Sequence, residues 1–259
     1  LEYANYIIPI IAACAASLLT FFSGFGLGTL LTPVFALFFP IEISIALTGI
    51  VHFLNNIFKL GLTYRHVDWA VATRFGIPAF AASFAGALLL SSLSYLEPIT
   101  RWGPDDVFVI TPVKVIIGLL LLFFALMEVL PILKRIQFGR KHLVAGGIAS
   151  GFFGGLSGHQ GALRSAFLVR AELTKEAFIA TGIVIACLVD VSRLGVYITR
   201  FKESAIGDNL ILVAMATLSA FAGAYAGSKL LHKVTMRWIQ YLVTVLLLSI
   251  SVLLGLGII

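Results

Sequence analysis

Arg164 stands three residues beyond Gly161, just after the run Ser157-Gly158-His159-Gln160-Gly161, in an otherwise apolar chain. A guanidinium presents a planar fork of donors that matches an oxyanion. In the first turn of a helix starting near Gly161, it would add to the partial positive charge of the free amides there. Ser157, His159 and Gln160 bring hydroxyl, imidazole and amide donors to the same place, and glycine lets backbone approach a ligand closely. An earlier segment repeats the pattern as Ser23-Gly24-Phe25-Gly26-Leu27-Gly28-Thr29, with Ser23, Gly28 and Thr29 as its contact groups. Tight helix packing would explain the glycines alone, but not His159, Gln160 or Arg164. The chemistry within reach of these types is recognition of a small anion.

A second polar group lies at helical spacing. His52, Asn55, Asn56 and Lys59 are separated by steps of three and four, which places them along one side of a helix. They read either as a substrate-lining stripe or as a polar seam between helices, with Lys59 snorkelling to an interface. Asp190 and Arg193, three apart, either compensate each other or divide the work, Arg193 contacting an anion while Asp190 orients it or carries a proton. Glu128 is a further proton-carrier candidate whose simpler reading is that it reaches the membrane interface. There is no metal-ligand spacing, nucleotide loop or nucleophile elbow, so the expectation is a non-enzyme with no cofactor and no metal.

Composition tells which solvent positions these groups. Of 259 residues, 60% are hydrophobic and 12% charged, against roughly 25% charged in soluble domains. Mean hydropathy is +1.05. The net charge of +6 falls in short loops between apolar spans, with no basic face interleaved with aromatics, so no nucleic-acid partner is expected. Cys14 and Cys187 both lie in apolar runs and make no disulfide framework. Ile11-Ala12-Ala13-Cys14 resembles a lipoprotein box, but the apolar run continues past Cys14, and a first membrane helix is the expectation. Inside a bilayer, a charged side chain costs about 2.5–3.5 kcal/mol and a broken helix must satisfy its backbone within protein or a wet cavity. Two such breaks point to one shared cavity.

Apolar spans long enough to cross a bilayer lie near residues 4 to 23, 43 to 64, 69 to 94, 112 to 133, 175 to 199, 208 to 231 and 236 to 257. Residues 27 to 39 and 160 to 170 are short, each follows a Gly break, and each pairs with the helix before it as a hairpin or split helix. The short segment 142 to 156 is rich in small residues, which suits close packing. Lys134, Arg135, Arg140 and Lys141 form the densest basic cluster, which places them with Arg65, His66, Arg74, His232, Lys233 and Arg237 in the cytoplasm, and Glu97, Asp105 and Asp106 outside. Arg200 and Lys202 fall outside, balanced by Glu203 and Asp208. Thr48-Gly49-Ile50-Val51 matches Thr181-Gly182-Ile183-Val184; one residue out of phase, Asn56, Lys59, Leu60 and Gly61 match Asp190, Arg193, Leu194 and Gly195. The expected fold is an all-α polytopic membrane helix bundle of two inverted-topology repeats, each a broken helical hairpin plus three transmembrane helices. Residues 1–133 form the first repeat, 134–141 a cytoplasmic linker and 142–259 the second, an arrangement typical of alternating-access transporters.

At these residues the chain resembles the sulfite exporter TauE/SafE family of bacterial membrane proteins, over nearly its whole length. The family's unit is an apolar helix running into Ser-Gly and a Gly-rich break, then a half-helix with Pro. Ser23-Gly24-Phe25-Gly26-Leu27-Gly28 with Pro33 fits it; Ser157-Gly158-His159-Gln160-Gly161 fits with departures, Ala166 standing where Pro is expected. The resemblance implies a secondary transporter in the bacterial cytoplasmic membrane that moves sulfite, thiosulfate or an organosulfonate, usually outward. His159, Gln160 and Arg164 depart from the plainer pattern and are candidates for setting the substrate. The alternatives are an anion channel, a proton-coupled anion importer using His52, His159 or Asp190, and an intramembrane enzyme using His159 and Asp190. The implied partners are the anion and the lipid bilayer, with homo-oligomerisation left open.

Overall fold

The computed structural model describes residues 4–20, 26–130, 138–201, 207–230 and 236–259, with backbone alone for 128–129, 230, 236–240 and 242. It is all-α and 82% helical. In chain order the helices are α1 (Ala4–Thr20), α2 (Leu27–Ala36), α3 (Ile41–Thr63), α4 (Trp69–Ser94), α5 (Pro112–Val129), α6 (Leu143–Ser157), α7 (Gly161–Leu168), α8 (Lys175–Arg200), α9 (Leu210–Leu230) and α10 (Met236–Gly255). Among the described residues, four apolar segments are long enough to cross a membrane: Ile41–His66, Trp69–Ser94, Lys175–Arg200 and Leu210–Lys229.

The boundaries follow local chemistry. Asp68 caps α4 by accepting from the Val71 amide at 2.9 Å, and Thr174 caps α8 by accepting from Ala177 at 3.2 Å. Thr111 does the same for α5 with Pro112 in the first turn. Such caps satisfy amides that the helix leaves free. Pro33 lies within α2 and Pro78 within α4. The two short segments after the breaks are helices of ten and eight residues, too short to span a bilayer alone.

Expected span 4 to 23 ends as helix at Thr20; Ser23 lies outside the described residues, as do Lys134, Arg135, Lys202, Glu203, His232 and Lys233. Residues 95 to 111, expected as an outer loop, contain a small antiparallel ribbon, β1 (Thr100–Trp102) with β2 (Phe108–Ile110), registered Thr100 to Ile110 and Trp102 to Phe108. Gly103, at φ 86°, begins the turn, and the Trp102 indole donates to the Leu256 carbonyl at 2.8 Å, tying the ribbon to the end of α10.

α6 packs on α4 through glycine. At Gly147, Gly151 and Gly155, spaced four apart, an added Cβ would run into the carbonyls of Phe75, Ala79 and Ser83 respectively. Small residues thus bring two helix backbones together where apolar driving force between helices is weak. At the α1–α9 contact, Gly223 meets the Cys14 carbonyl in the same way. The pairings recur: α4 with α6 and α9 with α1, α4 with α8 and α9 with α3, α2 with α10 and α7 with α5, while α3–α8 and α5–α10 pair centrally. Exchanging the five helices before residue 130 for the five after it leaves this pattern unchanged. Large apolar side chains such as Ile11, Ile77, Leu119, Ile211 and Val245 point outward, as lipid-facing positions should.

Candidate functional site

α3 packs against α8, and polar residues of the two helices meet at that contact. His52, midway along α3, has Nδ1 2.6 Å from Asp190 Oδ2. The other carboxylate oxygen, Asp190 Oδ1, accepts from Arg193 Nε at 2.9 Å and from Nη2 at 2.7 Å. All three residues are buried, Asp190 completely. A buried carboxylate is tolerable only when well paired and hydrogen-bonded, and both oxygens here are occupied. The Asp190–Arg193 pairing read from their spacing is therefore present, and His52 joins it. The Asn56 side-chain nitrogen lies against the His52 ring, 3.2 Å from Nδ1. Tyr197 donates its hydroxyl to the Gly155 carbonyl, locking α8 to α6.

Beside this contact is a small cavity of about 40 Å³, lined from α3 by His52, Asn56 and Lys59, from α7 by Arg164, and from α8 by Phe178 and Gly182. Lys59 is near the end of α3 and Phe178 in the first turn of α8, so the cavity extends from that end of the bundle to the midpoint of α3. Two cations face it, and among the described residues that line it there is no carboxylate. Arg164 packs against bare backbone, its Nε 3.4 Å from where a Gly182 Cβ would stand, and its Nη1 is buried without a hydrogen-bond partner. Lys59 is oriented from behind. With its amide turned to satisfy both ends, Asn55 donates to the Ala220 carbonyl at 3.2 Å and accepts from Ser17 Oγ at 3.0 Å and Lys59 Nζ at 3.2 Å.

The two Gly-rich breaks meet. A Cβ on Gly28 would be 3.5 Å from the Gly158 carbonyl oxygen. Gly158 ends α6 at φ 79°, the left-handed conformation that glycine adopts without strain. Ser157 accepts from the His159 amide at 3.4 Å and donates to Phe153 at 3.0 Å. The His159 ring is 2.8 Å from the Ser157 carbonyl through Nδ1 and stacks on Phe124 at 5.7 Å. Gln160 is buried with neither amide atom hydrogen-bonded. Gly161 begins α7, and Thr29 is buried in the first turn of α2.

Of the residues singled out from sequence, His52, Asn56, Lys59 and Arg164 line the cavity. Asn55 and Asp190 stand behind it as partners of its lining, Arg193 stands one step further back on Asp190, and Gly28, Thr29, Ser157, Gly158, His159, Gln160 and Gly161 lie at or beside the contact of the breaks. Thr20, Gly26, Ser165 and Gly182 also line the cavity and were not anticipated. Gly182 carried a signal, since it belongs to the Thr-Gly pair shared with Thr48-Gly49. Gly26 carried one too, lying within the first break; an added Cβ there would be 3.0 Å from His52 Nε2. Among the described residues, no three His, Cys, Asp or Glu converge on a metal position.

Residues 9–254 match the family model described as Sulfite exporter TauE/SafE. The chain belongs to this family. As a TauE/SafE protein it is an integral membrane transporter of the sulfur-anion exporter class, handling a small molecule across a lipid bilayer. A search of curated proteins and one of solved structures each returned no match.

Proposed function

We propose that this TauE/SafE protein is a secondary transporter of the bacterial cytoplasmic membrane, built from two inverted repeats, that exports a small sulfur oxyanion such as sulfite, thiosulfate or an organosulfonate. The observation that carries this reading is the cavity with Lys59 and Arg164 on its wall and no acidic group among its described lining. An oxyanion entering it supplies the missing counter-charge and a partner for Arg164 Nη1. Asn56 adds a neutral donor at the inner end.

The end of the bundle nearest Lys59 and Phe178 also holds Arg65, Arg74 and Arg140, so the positive-inside rule sets that end in the cytoplasm. The cavity is then where a cytoplasmic anion is loaded. Export needs no coupling ion, because each negative charge leaving an inside-negative cell gains about 2.3 kcal/mol per 100 mV. The recurring helix pairings support the two-repeat reading, in which rocking of one half against the other moves access between the faces. The His52–Asp190 contact favours one alternative, proton-coupled anion import.

Uptake and efflux of labelled sulfite, thiosulfate and sulfoacetate in proteoliposomes under imposed voltage and pH gradients test the proposal. Voltage-driven movement of one of them, unchanged by a pH gradient, is the expected result. Movement that follows the pH gradient instead establishes proton coupling, and currents far above carrier turnover establish a channel.

A further inference from the structure

We propose a second oxyanion station in this protein, separate from the cavity and closed in this structure, formed by Arg193 Nη1, Thr32 Oγ1 and Thr48 Oγ1 where Gly158 crosses Gly28. It rests on the transporter reading above and adds a second stop to the path.

The first support is unspent hydrogen-bonding capacity. Arg193, Thr32 and Thr48 are each 1% exposed, and Arg193 Nη1 and both threonine hydroxyls make no close hydrogen bond, the Tyr197 hydroxyl being the other polar group beside the guanidinium. Buried polar groups in native proteins are almost always satisfied, so orphans that share one place call for an ordered water or a ligand there. Two of them meet at one point, and Thr48 stands beside it. Arg193 Nη1 lies 3.0 Å and Thr32 Oγ1 3.9 Å from the point where a Gly158 Cβ would stand. Thr48 reaches the same crossing from α3, its methyl 3.6 Å from the corresponding point of Gly28. Glycine at both positions keeps that point free of side chain.

The second support is internal repetition. Thr181-Gly182 on α8 matches Thr48-Gly49 on α3. Gly182 presents bare backbone to the Arg164 guanidinium, and Gly49 does so to that of Arg193, with Cζ 3.5 Å from the added Cβ. One guanidinium of this pair faces the cavity and the other is sealed. His52 and Asp190 stand between them: His52 lines the cavity, and Asp190 holds both His52 and Arg193. Parting of Asp190 from Arg193 would release the guanidinium toward an arriving anion. The ligand class is a small oxyanion able to accept from one guanidinium and two hydroxyls.

The test compares wild type with Thr32→Val/Thr48→Val and Thr32→Ser/Thr48→Ser in proteoliposomes, reading sulfite and thiosulfate counterflow, alongside equilibrium binding in detergent. The valine pair is expected to bind within about twofold of wild type through the cavity but to exchange at least about tenfold more slowly, since hydrogen bonds to a charged group are lost. The serine pair is expected to restore exchange. Wild-type counterflow in the valine pair overturns the station, as does a serine pair no better than the valine pair, because a structural methyl would then be the cause. If the valine pair does not elute as folded protein, Thr48→Val alone carries the same expectation. A wild-type protein that moves none of sulfite, thiosulfate and sulfoacetate defeats the transporter reading itself, a result distinct from failure of the variants alone.

Discussion

Arg164 and Arg193 are both buried guanidiniums, yet their surroundings assign them different work. Arg193 has its charge met by Asp190 at 2.7 Å, whereas Arg164 faces a cavity without a carboxylate among its described lining. Loss of the Arg164 fork removes at least one charge-assisted hydrogen bond to the anion, worth about 2 kcal/mol. Arg164→Ala is therefore expected to weaken sulfite binding roughly 30-fold or more, measured by calorimetry on protein that still elutes as folded. Unchanged affinity would remove Arg164 from the site. Spacing alone made the His52, Asn56 and Lys59 face legible. It could not reveal that Asn55 turns to Ser17 and Ala220, nor that Asp190 spends its second oxygen on His52, because those partners come from distant parts of the chain.

The helices are held by devices that sequence marks in part. Small residues in 143–157 announced close packing, but only the structure shows Gly147, Gly151 and Gly155 forming one ridge on the α4 carbonyls. Gly151→Val would drive branched carbons into the Ala79 carbonyl, which nothing but separation of the two backbones can relieve. Overpacking of this kind costs about 1–3 kcal/mol. The expected outcome is a melting temperature in detergent several degrees lower, read by loss of the folded elution peak on heating, and an unshifted midpoint would show that α4 and α6 tolerate the separation. The ribbon Thr100–Trp102 with Phe108–Ile110 escaped the span-based reading because hydropathy over twenty residues is blind to strands of three.

The whole molecule is a helix bundle in which the largest pairings recur when the described helices before residue 130 are exchanged for those after it. Its orientation has a direct test. In a background with Cys14 and Cys187 replaced by serine, Asp105→Cys should react with a membrane-impermeant maleimide in intact cells, and Lys141→Cys only after permeabilisation; the reverse pattern would invert the proposed direction of loading. Membrane class, four of the seven expected long spans and the position of the second break were legible in sequence alone, because hydropathy, helix caps and glycine act on neighbouring residues. Tertiary structure alone decided that Gly28 lies against Gly158, that Lys59 and Arg164 share a void, and that Asp190 binds Arg193 and His52 together. The reason is physical: whether a buried charge is neutralised or left for a ligand depends on which side chains arrive within about 3 Å of it, since pair energies in a low dielectric fall off with distance, and that arrival is set by packing between helices rather than by spacing along one.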